Sequence, residues 1–262
     1  MLPFLDLKII KLPMYGLCIA FGIFIAGFIS YKLIKRQKKD FDYFIMITVI
    51  AICFGFVFAK LMFILVSYPL SHFFKILWDT ISNLNNPSTR IGFVFYGGLI
   101  GGILGYITGC KIAKVPLKEY VNIFGVAIPI AHGFGRIGCF CAGCCYGIPY
   151  DGLCAVHYHN PITLVPQDIG IFPVQLLEAG LLFILGTVLY FYEKKEKKYT
   201  LLLYISSYSV IRFITEFFRF DKERGFISVL SVSQFISIIL FGLSLLCFIY
   251  LKYIKPRKNH SK

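Results

Sequence analysis

An all-α integral membrane protein of about seven transmembrane helices is predicted, on three observations. Of the 262 residues, 58% are hydrophobic and only 15% charged, a balance that soluble domains of average composition do not reach. Long apolar runs recur along the whole chain, each about the twenty residues a helix needs to cross a hydrocarbon core of about 30 Å. The basic residues lie between these runs. The net charge of +14 therefore reads as topology determinants and contacts to anionic lipid headgroups. Nucleic acid is excluded as a partner, because its binders gather such charge in a patch on a soluble module.

The predicted spans are Met14–Ile34, Phe41–Val66, Phe93–Ala113, Val121–Phe140, Val174–Tyr192, Thr200–Arg219 and Val229–Leu251, in one polytopic domain over residues 1–262. The first run is too long for a signal peptide and lacks a small-residue cleavage site, so it is read as a retained helix. Lys32 and Lys111 are counted with the loops at their helix ends. The first, third and fifth loops and the basic tail 252–262 then carry seventeen Lys and Arg against six on the opposite side. The positive-inside rule puts the N-terminus outside and the C-terminus in the cytoplasm. The fourth loop, 141–173, holds no Lys or Arg and is expected outside, at the interface.

On the third span Gly97, Gly101, Gly105 and Gly109 recur every four residues, with Gly98 and Gly102 beside them. Close helix packing is the plainer reading, and a groove for a lipid chain or peptide the functional one. Ionisable side chains inside a bilayer cost several kcal/mol, so Lys60, Arg136, Arg212 and Arg219 are site candidates by default. Tyr208, Arg212, Glu216 and Arg219 are spaced by 4, 4 and 3, which stacks them on one helix face. An Arg212–Glu216 pair that only fixes packing accounts equally well for two of them. With the orientation above, Tyr15, Lys60, Tyr96, Gly97, Gly98, Arg136, Gln175, Glu178 and Arg212 to Arg219 share an outer layer. Two arginines there suit a phosphate, to which guanidinium presents a planar fork of donors.

The densest segment is HGFGRIGCFCAGCCYG, His132 to Gly147. Gly133, Gly135 and Gly138 match the dinucleotide fingerprint formally, but no strand precedes them and no helix follows, so that reading fails. Several blocks, in order, resemble the prolipoprotein diacylglyceryl transferase family: Tyr15–Gly16, FAKLMFIL around Lys60, YGGLIGG from Tyr96, GRIG from Gly135, FPVQLLE ending at Glu178, and SYSVIRFITEFFR ending at Arg219. The resemblance implies a bacterial plasma-membrane enzyme of lipoprotein maturation. It would transfer diacylglyceryl from phosphatidylglycerol to the lipobox cysteine of a secreted prolipoprotein, with its site toward the outer leaflet and no metal or organic cofactor. By the same resemblance Arg136 and Arg212 match the essential arginines, Tyr15 and Tyr208 the site tyrosines, and Glu216 the motif glutamate.

The chain departs from the family pattern at three places. Tyr96 stands where the family has the histidine of its HGG motif, and Cys139 and Cys144 stand where it has asparagine and glutamate. His132, one turn before Arg136 on the same face, is a candidate replacement base, the alternative being a histidine bonded to a neighbouring helix. Cys139, Cys141, Cys144 and Cys145, with Cys154, His157 and His159, support a rival function, a membrane metal-binding or thiol-redox protein on the same fold. Packing residues and disulfides are the other readings of these cysteines. A non-catalytic lipid-binding relative is a third function.

Overall fold

The computed structural model describes residues 4–6, 11–82, 94–159, 165–195, 198–220 and 225–254. Of the charges used to orient the chain, Lys8, Arg90, Lys197, Lys222, Arg224 and those of the tail 255–262 lie outside the described residues. So do residues 160–164 of the fourth loop.

Eight α-helices are described: α1 Met14–Arg36, α2 Phe41–Ser67, α3 Phe73–Ser82, α4 Phe95–Ile112, α5 Val121–Ala142, α6 Val174–Glu193, α7 Thr200–Thr215 and α8 Val232–Ile249. Among the described residues, six helices are long and apolar enough to span a membrane: α1, α2, α5, α6, α7 continued to Phe218, and α8 continued to Lys252. All-α membrane architecture is thus established. The residues expected as the third span form helix α4, which is not one of these six; its six glycines and Lys111 lower its hydropathy. The short α3 was expected to be loop. It has ten residues, too few to cross, and exposes Phe74 and Trp78 one turn apart, the composition of a helix lying in the membrane interface.

The chain divides into two compact units, Lys38–Tyr120 on the one hand and Met1–Gln37 with Val121–Lys262 on the other. In the first, α2 is capped by Asp40, whose carboxylate accepts from the amide of Asp42, and α4 lies directly on α2. A Cβ at Gly97 would overlap the Phe58 carbonyl and one at Gly101 that of Phe54. At Gly105 and Gly109 it would stand 2.7 and 3.0 Å from the Cα atoms of Ala51 and Ile47. The stripe of small residues is consumed in helix packing. Nothing lies within 4 Å of a Cβ at Gly102.

In the second unit α5 is central. It packs on α1, α6 and α7, with Ala26, Leu33, Val126, Ile130, Leu182, Leu189 and Tyr204 buried together. Glycines again let the backbones approach: a Cβ at Gly125 would sit 2.7 Å from the amide of Leu201, and one at Gly186 2.8 Å from Ile130. Helix α8 begins with a capping box, Ser231 and Gln234, and joins α7 through the hydroxyls of Ser206 and Ser244, 2.7 Å apart. Three two-stranded pairings complete the described structure: β1 Phe4–Asp6 with β2 Lys11–Pro13, β3 Val156–His157 with β4 Gly170–Ile171, and β5 Phe226–Ile227 with β6 Leu230–Ser231.

The packing of α4 on α2 predicts that Gly101→Ala destabilises the detergent-solubilised protein by about 1–3 kcal/mol through overpacking, read as a lower melting temperature. Gly102→Ala on the same helix should leave it unchanged. Equal responses at the two positions would contradict the described contact.

Candidate active site

Three strands of backbone gather the helix ends that carry the site. The segment after α5 lies between the start of α6 and the end of α7: Ile148 donates to the carbonyl of Phe218, Phe220 to that of Tyr146, and Phe172 to that of Ile148, each at 3.0 Å. Gly147 sits where the three meet, and a Cβ there would overlap the Phe172 carbonyl and stand 2.9 Å from that of Phe218. Its necessity was not read from the sequence, where it only closes a glycine-rich segment.

Glu178, on the second turn of α6, is the centre of the site. Its side chain is 2% exposed, and Arg136 Nη2 from α5 approaches Oε1 at 3.0 Å. The Tyr208 hydroxyl from α7 donates to the same oxygen at 3.1 Å. Arg212 Nη1 reaches Oε2 at a looser 3.4 Å. Arg212 also pairs with Glu216 at 2.7 Å, and Arg219 with Glu216 at 3.6 Å. The face predicted from the spacing of Tyr208, Arg212, Glu216 and Arg219 is thus real, although the last turn tightens into a 3-10 helix, Glu216–Phe218. The packing pair Arg212–Glu216 is legible from its spacing, whereas the place of Glu178 between two helices is not. Nor is that of Ser233, whose hydroxyl accepts from Arg212 Nη2 at 3.1 Å; a serine in the first turn of an apolar helix gives no distinguishing signal.

Among the described residues, three guanidiniums and two carboxylates form this network, a net positive set. The buried Nε of Arg136 has no hydrogen-bond partner among the described residues. Such a site accepts an anion. His132 joins it through its ring, edge-on to Tyr208 at 5.0 Å. Tyr15 of α1 packs where Gly138 of α5 has no side chain, a Cβ there standing 3.0 Å from its ring. Lys60, Tyr96, Gly97 and Gly98 belong to the other unit, where the Lys60 ammonium lies 5.1 Å from the Phe63 ring centre and Gly97 abuts α2.

The cysteines arrange differently from their sequence spacing. None of the nine is disulfide-bonded. Cys139, Cys144 and Cys145 place their sulfurs within 4.8 Å of one another, whereas Cys141, the other half of the expected C-x-x-C pair, meets Cys18 of α1. Cys154, His157 and His159 are not in the cluster. Helix α5 runs to Ala142, so the fourth loop starts two residues later than expected. Cys145, in that loop, has its thiol pushed far below the usual range by hydrogen bonds from Cys139 and Cys144, and further by the charges of Arg219 and Arg136. Cys144 is pushed up by its bonds to Cys139 and Cys145.

Fold and site together define a multi-pass membrane protein with an arginine-rich network buried among its helices. Residues 3–250 match the family profile of prolipoprotein diacylglyceryl transferase, and the chain belongs to that family. It is 33% identical over 235 residues to a phosphatidylglycerol–prolipoprotein diacylglyceryl transferase of Clostridium tetani, covering 87% of this chain and 89% of the relative. It is 34% identical over 237 residues to a second such transferase of Clostridium perfringens, covering 87% of each. One from Dehalococcoides mccartyi is 28% identical over 242 residues, 90% of this chain and 88% of the relative. The chain is a bacterial membrane protein.

Glu178→Gln leaves Arg136 and Arg212 buried without their shared counterion, a loss of about 3–5 kcal/mol when a buried pair is broken. A marked fall in melting temperature and in membrane accumulation is expected. A variant as stable as the parent would show that Glu178 does not hold the two helices together.

Proposed function

We propose that this chain transfers the diacylglyceryl group of phosphatidylglycerol to the lipobox cysteine of secreted prolipoproteins, releasing glycerol phosphate. Its relatives are named phosphatidylglycerol–prolipoprotein diacylglyceryl transferases. The single observation that supports it on this chain's own residues is the buried net-positive network around Glu178. Arg136 spends part of its donor fork on Glu178, and Arg212 spends more of its own on Glu178, Glu216 and Ser233; these contacts fix both planes, and the N–H donors left over are the ones offered to a phosphate. As the substrate sulfur attacks the glyceryl carbon and the carbon–oxygen bond breaks, negative charge grows on the departing phosphate. Donors already oriented toward it lower that barrier without reorganising. Tyr208 holds the shared carboxylate on the guanidiniums. Lys60, Tyr96, Gly97 and Gly98 enter this reading only through the family resemblance.

The site is proposed to face the outer leaflet, where phosphatidylglycerol and an exported precursor meet. The alternation of Lys and Arg between loops supports this orientation.

Arg136→Lys and Arg212→Lys should each cut lipid transfer to a lipobox peptide by roughly 100-fold or more while the protein still accumulates, measured by mass spectrometry of the peptide. Near-normal transfer by either variant would show that point charge suffices or that another residue binds the phosphate. For the orientation, alkaline phosphatase fused after Lys262 should be inactive and a cytoplasmic reporter active. Phosphatase activity there would put the site on the wrong side.

A further inference from the structure

The end of α5 folds as a Schellman motif: the amide of Cys144 donates to the carbonyl of Cys139 at 3.1 Å and that of Gly143 to Phe140 at 3.3 Å. Gly143 takes the left-handed conformation this cap requires, φ 68°. In this motif the side chains at the first and last of the six residues touch. Both are cysteine here. Cys145 then adopts φ 55°, a conformation unusual for a residue with a side chain, and this turn brings its sulfur back to the other two. Gln175 Nε2 donates to the Cys144 carbonyl at 2.8 Å, and Gln175 is itself buried, so the turn is locked from α6. The backbone is thus committed to holding three sulfurs within 4.8 Å of one another.

We propose that Cys139, Cys144 and Cys145 bind one zinc ion as a three-thiolate site whose open fourth position takes the thiol of the substrate cysteine. The inference rests on the transfer reading above. Zinc with sulfur ligands at about 2.3 Å requires sulfurs about 3.8 Å apart in a tetrahedron, a separation the present spread permits with small side-chain adjustments. Three protein ligands and one vacant position are the pattern of a zinc site that does chemistry rather than one that only holds a fold. Three thiolates on a divalent ion leave a negative charge, and Arg136 and Arg219 lie close enough for their charges to act on Cys145. Arg136 is three residues before Cys139 on α5, so one helix face carries both an anion-binding group and a ligand.

The arrangement suits alkylation of a thiol. A thiol that coordinates zinc is deprotonated, its proton passing to water. The sulfur lone pair forms the carbon–sulfur bond to the glyceryl carbon, and the carbon–oxygen bond breaks with its electron pair remaining on the phosphate. No electron is gained or lost. The product is a thioether, neutral and a poorer ligand than thiolate, so it leaves the ion and vacates the position. The residues at which this chain departs from its family, Cys139 and Cys144, are two of the three ligands.

The test uses the full chain, purified in detergent under anaerobic, reducing conditions. Elemental analysis should find about one zinc per chain, as a single site of this kind binds. Cys139→Ser and Cys144→Ser should lose it and Cys141→Ser should keep it. Without any variant, cobalt(II) exchanged into the parent protein should show thiolate-to-cobalt absorption. That absorption should shift on adding a lipobox peptide with a free cysteine and not on adding its serine analogue. Protein stripped by chelation should lose lipid transfer and recover it with zinc. Absence of the cobalt–thiolate band, zinc retained by both serine variants, or full transfer by stripped protein would each overturn the proposal. Full transfer without zinc leaves the transfer reading intact. A zinc site that binds the peptide thiol while no lipid is ever transferred overturns the transfer reading instead.

Discussion

One carboxylate governs the arrangement of this protein. Glu178 is almost wholly enclosed and is approached by Arg136 from one helix and by Arg212 and Tyr208 from another. In hydrocarbon an unpaired charge costs several kcal/mol, so none of these side chains is stable in place without the others. The cost is met by mutual satisfaction. The same interdependence that pins α5, α6 and α7 together leaves, among the described residues, more guanidiniums than carboxylates, with Arg219 joined through Glu216. A structural constraint and a binding property therefore have one origin. Replacing the network by apolar residues could preserve packing, but it would remove the buried guanidiniums that attract a phosphate.

Backbone geometry sets the distances at which this chemistry operates. The extended segment from Tyr146 to Tyr150 ties the exit of α5 to the entrance of α6 and the exit of α7, so side chains far apart in sequence meet. Immediately before it, a helix cap places two thiols together and a left-handed residue adds a third. Neither device depends on a long loop. Both depend on a glycine at one position, Gly143 for its conformation and Gly147 for the closeness of neighbouring carbonyls.

Much of this was legible in the sequence, and the remainder was hidden for identifiable reasons. The helices show in the apolar runs because length and polarity are local properties. The face of Tyr208, Arg212, Glu216 and Arg219 shows because helical period converts spacing into direction. Glu178 was named with the arginines as a site candidate, yet its position between two of them requires knowing which helices are neighbours. Helix α3 carried a signal that was overlooked: Phe74 and Trp78 stand one turn apart in a segment too short to span. The cysteines were read through the C-x-x-C spacing of Cys141 and Cys144, which assumes both stay on one turn. Gly143 ends the helix between them and rotates Cys144 back onto Cys139. A glycine two residues past the apolar face, followed by cysteine, is a cap signature that could have been recognised.

The charge pairing also bears on how such a chain enters the bilayer during synthesis. Arg136 and Glu178 leave the ribosome on consecutive spans, α5 and α6, and together they form a neutral hairpin. Arg212 arrives on the next span with its own acidic partner one turn away, Glu216. The pairs Arg136–Glu178 and Arg212–Glu216 thus each bring opposite charges into the lipid together, with Arg219 following at the end of that third helix, and the contact that makes Glu178 common to both arginines forms once α7 docks. A chain with the same final charges dealt out in another order would have to expose a lone ion to hydrocarbon at some stage. The order of residues along the polypeptide, as well as their place in the finished fold, keeps the insertion route open.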